Sequence, residues 1–382
     1  TGKESTNCIN TNSGGMAMKR KNDGNVRKSA TFAGFTARAV MCIAAGLLVL
    51  SFLSILVNPA KIWVMTLFGL LFIPLFTVNV VLFFWALKRR SRSAFIPLVA
   101  VLPSLFFVGS YFQFAGNDEE SSGEKVKVVS YNVGRFMNGK GVGGRYGREE
   151  CIDSVMRFLD RQKADIICLQ EFYIQDINEL RAFLSKRMKK YGYEYYLYTG
   201  KSGSYGNITL SRFAAKDKGV IKFDNSANLA IYTDYQIDDD RIRVYNCHFE
   251  SYNISPSGLL RSVLGRDREK IKKAEDKMIR GISRRPKQVN RVLDHIGHSE
   301  YDSFVCGDFN DTPMSYTYYK MSKGREDSFR ESGKGFAATF SLLWPMIRID
   351  YVLYPERFQA LSHITYRKPF SDHYPVVTEI EL

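Results

Sequence analysis

Apolar residues are spaced in two different ways along the chain, and the change comes near residue 115. Before it, three stretches carry no charged side chain: residues 39–57, 62–87 and 94–115. Each is long enough to cross a hydrocarbon core of roughly 30 Å as a helix. The pattern therefore predicts three transmembrane helices within residues 39–115.

Basic residues around these stretches predict how the chain is oriented. The tail, residues 1–38, and the loop Lys88–Arg92 are rich in lysine and arginine, whereas the loop between the first two stretches carries only Lys61. Basic loops stay on the cytoplasmic side of a membrane. We therefore expect a multi-pass protein of the cell (inner) membrane with a basic cytoplasmic tail. An acidic linker, residues 116–124, would then lead to a periplasmic or otherwise extracytoplasmic domain, residues 125–382.

The second part of the chain alternates between strand-like and helix-like patterns. Apolar runs such as Val126–Tyr131 and Ser303–Gly307 have the length of buried strands, and Glu149–Gln162 has the spacing of an amphipathic helix. Strands joined by hairpins, with helices between them, are typical of two packed sheets with flanking helices. We predict an α+β fold for residues 125–382. It would be a four-layer α/β/β/α sandwich of two mostly antiparallel sheets, preceded by the three-helix transmembrane segment.

Charge and cysteine content narrow the function only slightly. The formal net charge is +15, of which residues 124–382 carry +8, with 42 Lys and Arg against 34 Asp and Glu; this excess suits a soluble domain that meets anions, but a solvated basic surface explains it equally well. The 6 cysteines show neither a CxxC pair nor zinc-like spacing, so we expect small buried apolar residues rather than a zinc site or a disulfide framework. The chain also lacks a GxSxG motif, a Walker loop and a GxGxxG segment after a strand.

Polar side chains follow several of the predicted strands at the point where each apolar run ends. They are Asn132, Glu171, His248, Asp308, Asn310, Asp350, Asp372 and His373. If the strands are aligned, these side chains converge on one rim. Carboxylate and amide oxygens suit Mg²⁺ and phosphate, and a histidine beside a carboxylate can move protons. A single such residue is usually a turn former, but eight of them favour a site.

Six short segments that contain these polar residues resemble, in their order along the chain, motifs of the endonuclease/exonuclease/phosphatase superfamily. That superfamily includes pancreatic deoxyribonuclease, abasic-site endonucleases, neutral sphingomyelinases and inositol polyphosphate 5-phosphatases. The resemblance covers residues 125–382 and suggests a membrane-anchored bacterial member. The segments are Ser130–Val133, Leu169–Glu171, Asn246–Phe249, Gly307–Asn310, Arg348–Tyr351 and Ser371–His373.

The resemblance implies a set of metal ligands. Glu171 is similar to the primary ligand of a Mg²⁺ ion (Mn²⁺ being possible), with Asn132 beside it and Asp372 adding to the site. In abasic-site enzymes an aspartate follows the first Asn-Val pair, whereas this chain has Gly134 there. That departure weakens the case for DNA repair.

The resemblance also implies catalytic roles. Asp308 would align or deprotonate the attacking water, and Asn310 would contact the phosphate. His373 would act as a phosphate-contacting acid or base, paired with Asp350. His248 stands where deoxyribonuclease-like and sphingomyelinase-like members carry histidine.

These features lead to one main hypothesis and two alternatives. The main hypothesis is Mg²⁺-dependent hydrolysis of a phosphoester in a nucleic acid, a phospholipid or an inositol phosphate, without an inferred protein partner. A lipid phosphodiesterase of sphingomyelinase type is the first alternative, for which Tyr252–Leu260 could be an apolar loop near the membrane. A non-catalytic domain that binds a phosphate ligand is the second. A separate alternative for Asp350 is a salt bridge with Arg348.

Overall fold

The computed structural model describes residues 34–114, 116, 123–137, 147–252 and 264–382. The predicted tail up to residue 33, most of the predicted linker and all but the first residue of the predicted apolar loop lie outside it. The described residues form two compact units. One comprises residues 34–49 and 74–102, and the other comprises residues 50–73 and 103–382.

The apolar N-terminal part is a series of helices of very different lengths. Among the described residues, only α1 is by itself long and apolar enough to cross a membrane, and α2 and α3 reach that length together but are bent by 59°. The helices are α1 Gly34–Leu53, α2 Val64–Leu70, α3 Phe72–Lys88, α4 Phe95–Val101 and α5 Leu105–Val108.

The prediction of three transmembrane helices is therefore not supported. The second stretch bends at Leu71, three residues before Pro74, which has no N–H for a helical hydrogen bond to residue 70. The third stretch is interrupted by a 3₁₀ turn that contains Pro103. By length and composition the described part of the chain has one candidate span, or two if the bent pair counts as one. The predicted multi-pass and periplasmic arrangement has no support in these helices.

Residues from 112 onward form fourteen strands and, among the described residues, five further α-helices. The strands are β1 Phe112–Gln113, β2 Lys125–Asn132, β3 Ile166–Ile174, β4 Gly192–Gly200, β5 Gly203–Ser211, β6 Ala215–Lys222, β7 Leu229–Ile237, β8 Asp240–His248, β9 Asp302–Asp308, β10 Glu326–Asp327, β11 Gly335–Phe336, β12 Asp350–Tyr354, β13 Gln359–Thr365 and β14 Val376–Glu381. The helices are α6 Arg148–Gln162, α7 Leu180–Arg187, α8 Arg268–Gly297, α9 Tyr316–Ser322 and α10 Ser328–Ser332.

Twelve of the strands make two six-stranded sheets, with the orders β13-β14-β2-β3-β5-β4 and β10-β12-β9-β8-β7-β6. Each sheet has one parallel pair, β2 with β3 and β8 with β9, and its other pairs are antiparallel. Parallel neighbours need a crossover, which α6 and α8 supply. The carboxyl ends of β2 and β3 therefore lie together, as do those of β8 and β9.

Alternation along the strands creates the layers. In β2, Val128 belongs to the core between the sheets, whereas Val129 packs in the cluster that includes α6 and α7. In β9, Phe304 and Cys306 lie between the sheets and Val305 packs with α8 and α9. Period-two alternation buries both faces of each central strand. The predicted four-layer sandwich of two mostly antiparallel sheets with flanking helices is thus confirmed.

Candidate active site

The candidate site continues the inward-facing rows of the central strands. Asn132 follows Val128 and Ser130 on the same face of β2, and Asp308 follows Cys306 on β9. His248 ends β8, where it lies opposite Asp308 in the parallel register. The apolar row that seals the two sheets together therefore becomes polar at the carboxyl ends of the strands.

A hydrogen-bonded layer lies directly beneath the site. The amide of Gln170 donates to Asn246 Oδ1 at 2.8 Å, which joins the two sheets. Asn246 in turn donates to the backbone oxygens of Leu169 at 3.2 Å and Ile208 at 2.9 Å. These buried amides have partners on both sheets, so they hold the carboxyl ends of the strands in one relative position.

Glu171 reaches the site because the backbone of β3 is irregular there. The pairing of β3 with β5 shifts register between Leu169 and Phe172, and Glu171 has a φ of 51°. A bulge re-aims a side chain that simple alternation would point away from its neighbour. The carboxylate of Glu171 lies 3.4 Å from the amide nitrogen of Asn132 and 3.7 Å from Nε2 of His248.

Gly307 allows β8 and β9 to approach each other just before Asp308. Its φ is 134°, and a Cβ atom there would lie 1.9 Å from the backbone oxygen of Cys247. No other residue type fits this conformation and this contact without moving the strands. The glycine of the Gly-Asp-Phe-Asn segment thus has a structural role in placing the carboxylate.

Asp308 is at the centre of the site and is fully buried. Its Oδ1 accepts the backbone N–H of Asn310 at 2.8 Å, and its Oδ2 accepts the amide of Asn132 at 2.9 Å and that of Asn310 at 3.1 Å. The Nε2 atoms of His248 and His373 lie 3.7 Å and 3.8 Å from the same oxygen. Burial raises the pKa of Asp308 to about 6, although the charge of His373 opposes the shift.

His373 and Asp350 form a buried pair beside Asp308. Nδ1 of His373 is 2.9 Å from Oδ2 of Asp350, and the backbone N–H of Asp350 donates to Thr339 Oγ1 at 3.1 Å. Burial alone would lower the pKa of His373, but Asp350 and Asp308 outweigh it and hold that pKa well above its ordinary value. The shift favours the protonated imidazole, whose Nε2 lies 3.8 Å from Oδ2 of Asp308.

His248 and Glu171 carry the opposite electrostatic signature. Burial lowers the pKa of His248, so its imidazole is neutral, and its Nε2 has no hydrogen-bond partner. Burial also raises the pKa of Glu171. Among the described residues, the half-buried carboxylate of Glu171 and the unpartnered Nε2 of His248, 3.7 Å apart, are under-compensated in the protein alone.

The donor set at this point fits a divalent cation. Glu171 accepts no short hydrogen bond from Asn132, whose amide lies 3.4 Å away, and Arg135 Nε is 3.7 Å from its Oε2. The carboxylate oxygens of Glu171 are hard donors of the kind that Mg²⁺ prefers. A second group, Asp308, Asp350 and His373, has ligand atoms within 4.8 Å of one another. In this second group, however, Nδ1 of His373 is already hydrogen-bonded to Asp350.

Seven of the eight predicted site residues come together at this edge. The eighth, Asp372, lies close enough for its charge to raise the pKa of Glu171 and of His373; its Oδ1 accepts from Ser371 Oγ at 3.3 Å, and its backbone oxygen accepts from the N–H of Ser341 at 2.8 Å. The alternative pairing of Asp350 with Arg348 does not occur. Arg348 forms a fully buried ion pair with Asp327 instead.

Arg135 and Tyr205 were not anticipated from the sequence. The guanidinium of Arg135 lies 4.4 Å above the ring of Tyr205 and reaches Glu171 from a backbone with a φ of 57°. No spacing rule places a residue of one loop against a strand seventy residues away. The only available signal is that Arg135 comes three residues after Asn132.

The arrangement can now be set beside known proteins. The sequence profile of the Endonuclease/Exonuclease/phosphatase family matches residues 129–373, which include every residue of the site just described. The chain belongs to this family. Membership supports hydrolysis of phosphoester bonds in general, with a divalent metal typical of the family. The profile of a domain of unknown function matches residues 35–111, and a search of curated proteins finds no match.

Solved structures with a similar arrangement have low sequence identity. The human Nocturnin catalytic domain with bound sulfate has 15% identity and a TM-score of 0.48, covering 67% of this chain and 94% of that one. D. rerio TDP2 complexed with a single-strand DNA product has 16% identity and a TM-score of 0.48, covering 68% and 100%. A family protein from Bacteroides thetaiotaomicron has 18% identity and a TM-score of 0.46, covering 68% and 98%.

Proposed function

We propose that the chain hydrolyses a phosphoester by in-line attack of water, in a reaction that depends on Mg²⁺. The observation that carries this proposal is the convergence on Asp308 of two amides and two imidazoles whose pKa values are shifted in opposite directions. A structural ion pair needs only one charge of each sign. This site holds a surplus of carboxylates at the mouth of the two sheets.

Asp308 is the group that we expect to accept the proton of the attacking water. A general base is most effective when its pKa lies near the working pH, and burial brings that of Asp308 to about 6. The amide of Asn310 is fixed beside it, because its two N–H groups donate to Asp308 Oδ2 at 3.1 Å and to Phe249 O at 3.0 Å, and its Oδ1 can orient the attacking water. As the bond from water oxygen to phosphorus forms, the bond to the departing ester oxygen breaks.

His373 is the group that we expect to contact the phosphoryl oxygens. Asp350 fixes the orientation of its ring and keeps it protonated, so Nε2–H can donate to a negatively charged oxygen. Glu171, with Asn132 and Asp372, would hold a Mg²⁺ ion. When bound, that ion would offset the negative charge that develops on the phosphoryl group.

The proposal is tested with the full chain in detergent on bis(p-nitrophenyl) phosphate, with Mg²⁺ and with EDTA. We expect Asp308→Ala to lower kcat by about 10²–10⁴-fold, the usual contribution of a positioned general base. Chelation should abolish the activity of the wild type and Mg²⁺ should restore it. The matched control is Asp294→Ala, which removes an exposed carboxylate on α8 and should leave kcat unchanged.

Equal activity of wild type and Asp308→Ala would contradict the catalytic assignment. Activity that survives EDTA would contradict the metal dependence. A folded wild type that is inactive on this substrate and on phosphomonoesters would favour the phosphate-binding alternative.

A further inference from the structure

We propose that an exposed aromatic ridge beside the site contacts the surface of a lipid bilayer, and that the substrate is a phosphoester displayed at that surface. The second half of this proposal rests on the proposed function, whereas the first half does not. The aromatic ridge consists of Phe112, Phe114, Phe336, Leu342, Leu343 and Trp344.

The aromatic ridge is a continuous apolar surface rather than a set of scattered side chains. The ring of Phe112 lies 5.0 Å from that of Phe114 and 5.0 Å from that of Phe336, and the rings of Phe336 and Trp344 are 5.7 Å apart. Phe114 is 86% exposed, Leu342 55% and Trp344 39%. Large contiguous apolar patches of this kind mark contact surfaces in soluble parts of proteins.

The chain that leads into the ridge argues for a lipid occupant. Phe112 directly follows the apolar helices α4 and α5, and within the same compact unit Leu105 and Phe106 of α5 are 61% and 80% exposed. An apolar helical segment that continues into exposed aromatic rings is the order found where a chain leaves the hydrocarbon region for the headgroup region.

The composition of the ridge and its margin fits a membrane surface. Tryptophan and phenylalanine are favoured at the boundary between hydrocarbon and water. The guanidinium of Arg367 lies 4.6 Å above the ring of Trp344, and Lys334 is exposed two residues before Phe336. Basic side chains at the edge of an apolar surface are complementary to anionic headgroups.

Part of the aromatic ridge lies on the same chain segment that contacts His373 and Asp350. Phe340 bridges to His373, with their rings 5.4 Å apart, and the N–H of Ser341 donates to Asp372 O at 2.8 Å. In the same segment Thr339 Oγ1 accepts the N–H of Asp350. A bilayer in contact with the ridge would therefore lie next to the edge of the site that carries His373.

The first experiment tests whether the ridge contacts lipid. Trp63 and Trp85 are replaced by phenylalanine in the full chain, so that Trp344 is the remaining tryptophan. The protein is reconstituted in vesicles of phosphatidylcholine, phosphatidylglycerol and phosphatidic acid, with or without brominated acyl chains. We expect bromine to quench Trp344. A control with Tyr195→Trp and Trp344→Phe reports from the edge strand β4, where we expect no quenching.

The outcomes of this experiment separate the possible occupants of the ridge. Unquenched Trp344 would overturn the lipid contact. Unquenched but blue-shifted emission that depends on protein concentration would assign the ridge to contact between copies of the chain. Equal quenching of the residue 195 reporter would show unspecific association and would also count against the proposal.

The second experiment tests the substrate. We expect the wild type to release phosphate or a headgroup from the vesicle lipids, and the double variant Phe114→Ser/Trp344→Ser to do so about tenfold more slowly, since burial of aromatic surface drives such contact. Its hydrolysis of bis(p-nitrophenyl) phosphate should stay within about twofold. A wild type that cleaves only the soluble ester would overturn the lipid substrate. Quenched Trp344 with neither ester cleaved would instead overturn the proposed function and leave the lipid contact standing.

Discussion

Two sets of buried charges lie close together in this protein and are stabilised in different ways. Arg348 and Asp327 are a matched ion pair, in which the guanidinium also donates to Ser110 O at 3.1 Å. Burial alone would raise the pKa of Asp327, but Arg348 outweighs it and lowers that pKa. Two residues along the chain from Arg348, Asp350 belongs to the site, where the pKa values of Asp308 and Glu171 are raised.

The difference in pKa shifts between the two sets distinguishes charges that stabilise the fold from charges that are available to bind a ligand. Each charge of the matched pair has its counter-charge within the protein, so removing one partner should strongly destabilise the fold. The carboxylates of the site outnumber the cations that face them, so the protein retains them at a cost in stability. A surplus of this kind is typical of a site that binds cations and substrate.

The largest expected effect is on the matched pair. Replacing Arg348 by methionine leaves Asp327 buried without a counter-charge, and we expect a loss of about 3–5 kcal/mol in the free energy of unfolding. Chemical denaturation of the full chain in detergent measures it. Arg330→Met is the control, because Arg330 is exposed. A loss below about 1 kcal/mol would mean that the pair is not isolated from water.

The next effect concerns the pH dependence of the reaction. Asp350 helps to raise the pKa of His373. The proposed mechanism requires His373 to be protonated, so activity should fall as the pH rises past the pKa of His373. In Asp350→Asn the pKa drops, and the fall should occur at lower pH, with kcat at neutral pH reduced by about 10²-fold or more. The pH profile of kcat tests this. His363→Gln is the control, a buried histidine that bonds to Ser328 at 2.8 Å. An unchanged alkaline limb in Asp350→Asn would remove His373 from the mechanism.

Glu171 should show the cost of an under-compensated carboxylate. Its pKa is raised by burial, so the folded state holds its proton more tightly than the unfolded state does. The stability of the metal-free protein should therefore decline as the pH rises above the ordinary pKa of 4.5. At pH 7.5 in EDTA we expect Glu171→Gln to be about 1 kcal/mol more stable than the wild type. Asp327→Asn, in the matched pair, should be less stable. If both substitutions destabilise, the contrast between the two regions fails.

The smallest effect is expected at Arg135, which is largely exposed and lies 3.7 Å from Glu171. Arg135→Gln should change the free energy of unfolding by less than about 1 kcal/mol. Because the guanidinium and a cation compete for the same carboxylate, the variant should reach half-maximal activity at a lower Mg²⁺ concentration. A higher requirement would instead mean that Arg135 helps to hold the phosphate.

Much of the sandwich and most of the site could be predicted from local sequence. Period-two alternation in β2 and β9 gives the inward rows, and Asn132 and Asp308 extend those rows by two residues. The order of the six segments gives the family. From the sequence, Asp350 could pair either with Arg348 or with a histidine, because both kinds of residue lie at or near the end of a predicted strand. The fold sends the arginine to Asp327.

The apolar N-terminal part shows where a composition rule is insufficient. Three uncharged stretches satisfy the length of a membrane span, yet the chain bends at Leu71 and turns at Pro103. Tyr111, at the end of the third stretch, faces protein: it is buried, and its hydroxyl accepts the N–H of Met314 at 3.2 Å. Hydropathy counts apolar residues without distinguishing those that face lipid from those that face protein.

By itself the sequence determined the period of each strand, the order of the six family segments and the residue types at the strand ends, because these depend on neighbours one to four positions away. Only the tertiary structure decided that a bulge turns Glu171 towards His248, that Asp350 bonds to His373, and that Phe112 meets Phe336 in the aromatic ridge. Those contacts join residues that are far apart along the chain. They follow from how the two sheets pack, which no local pattern encodes.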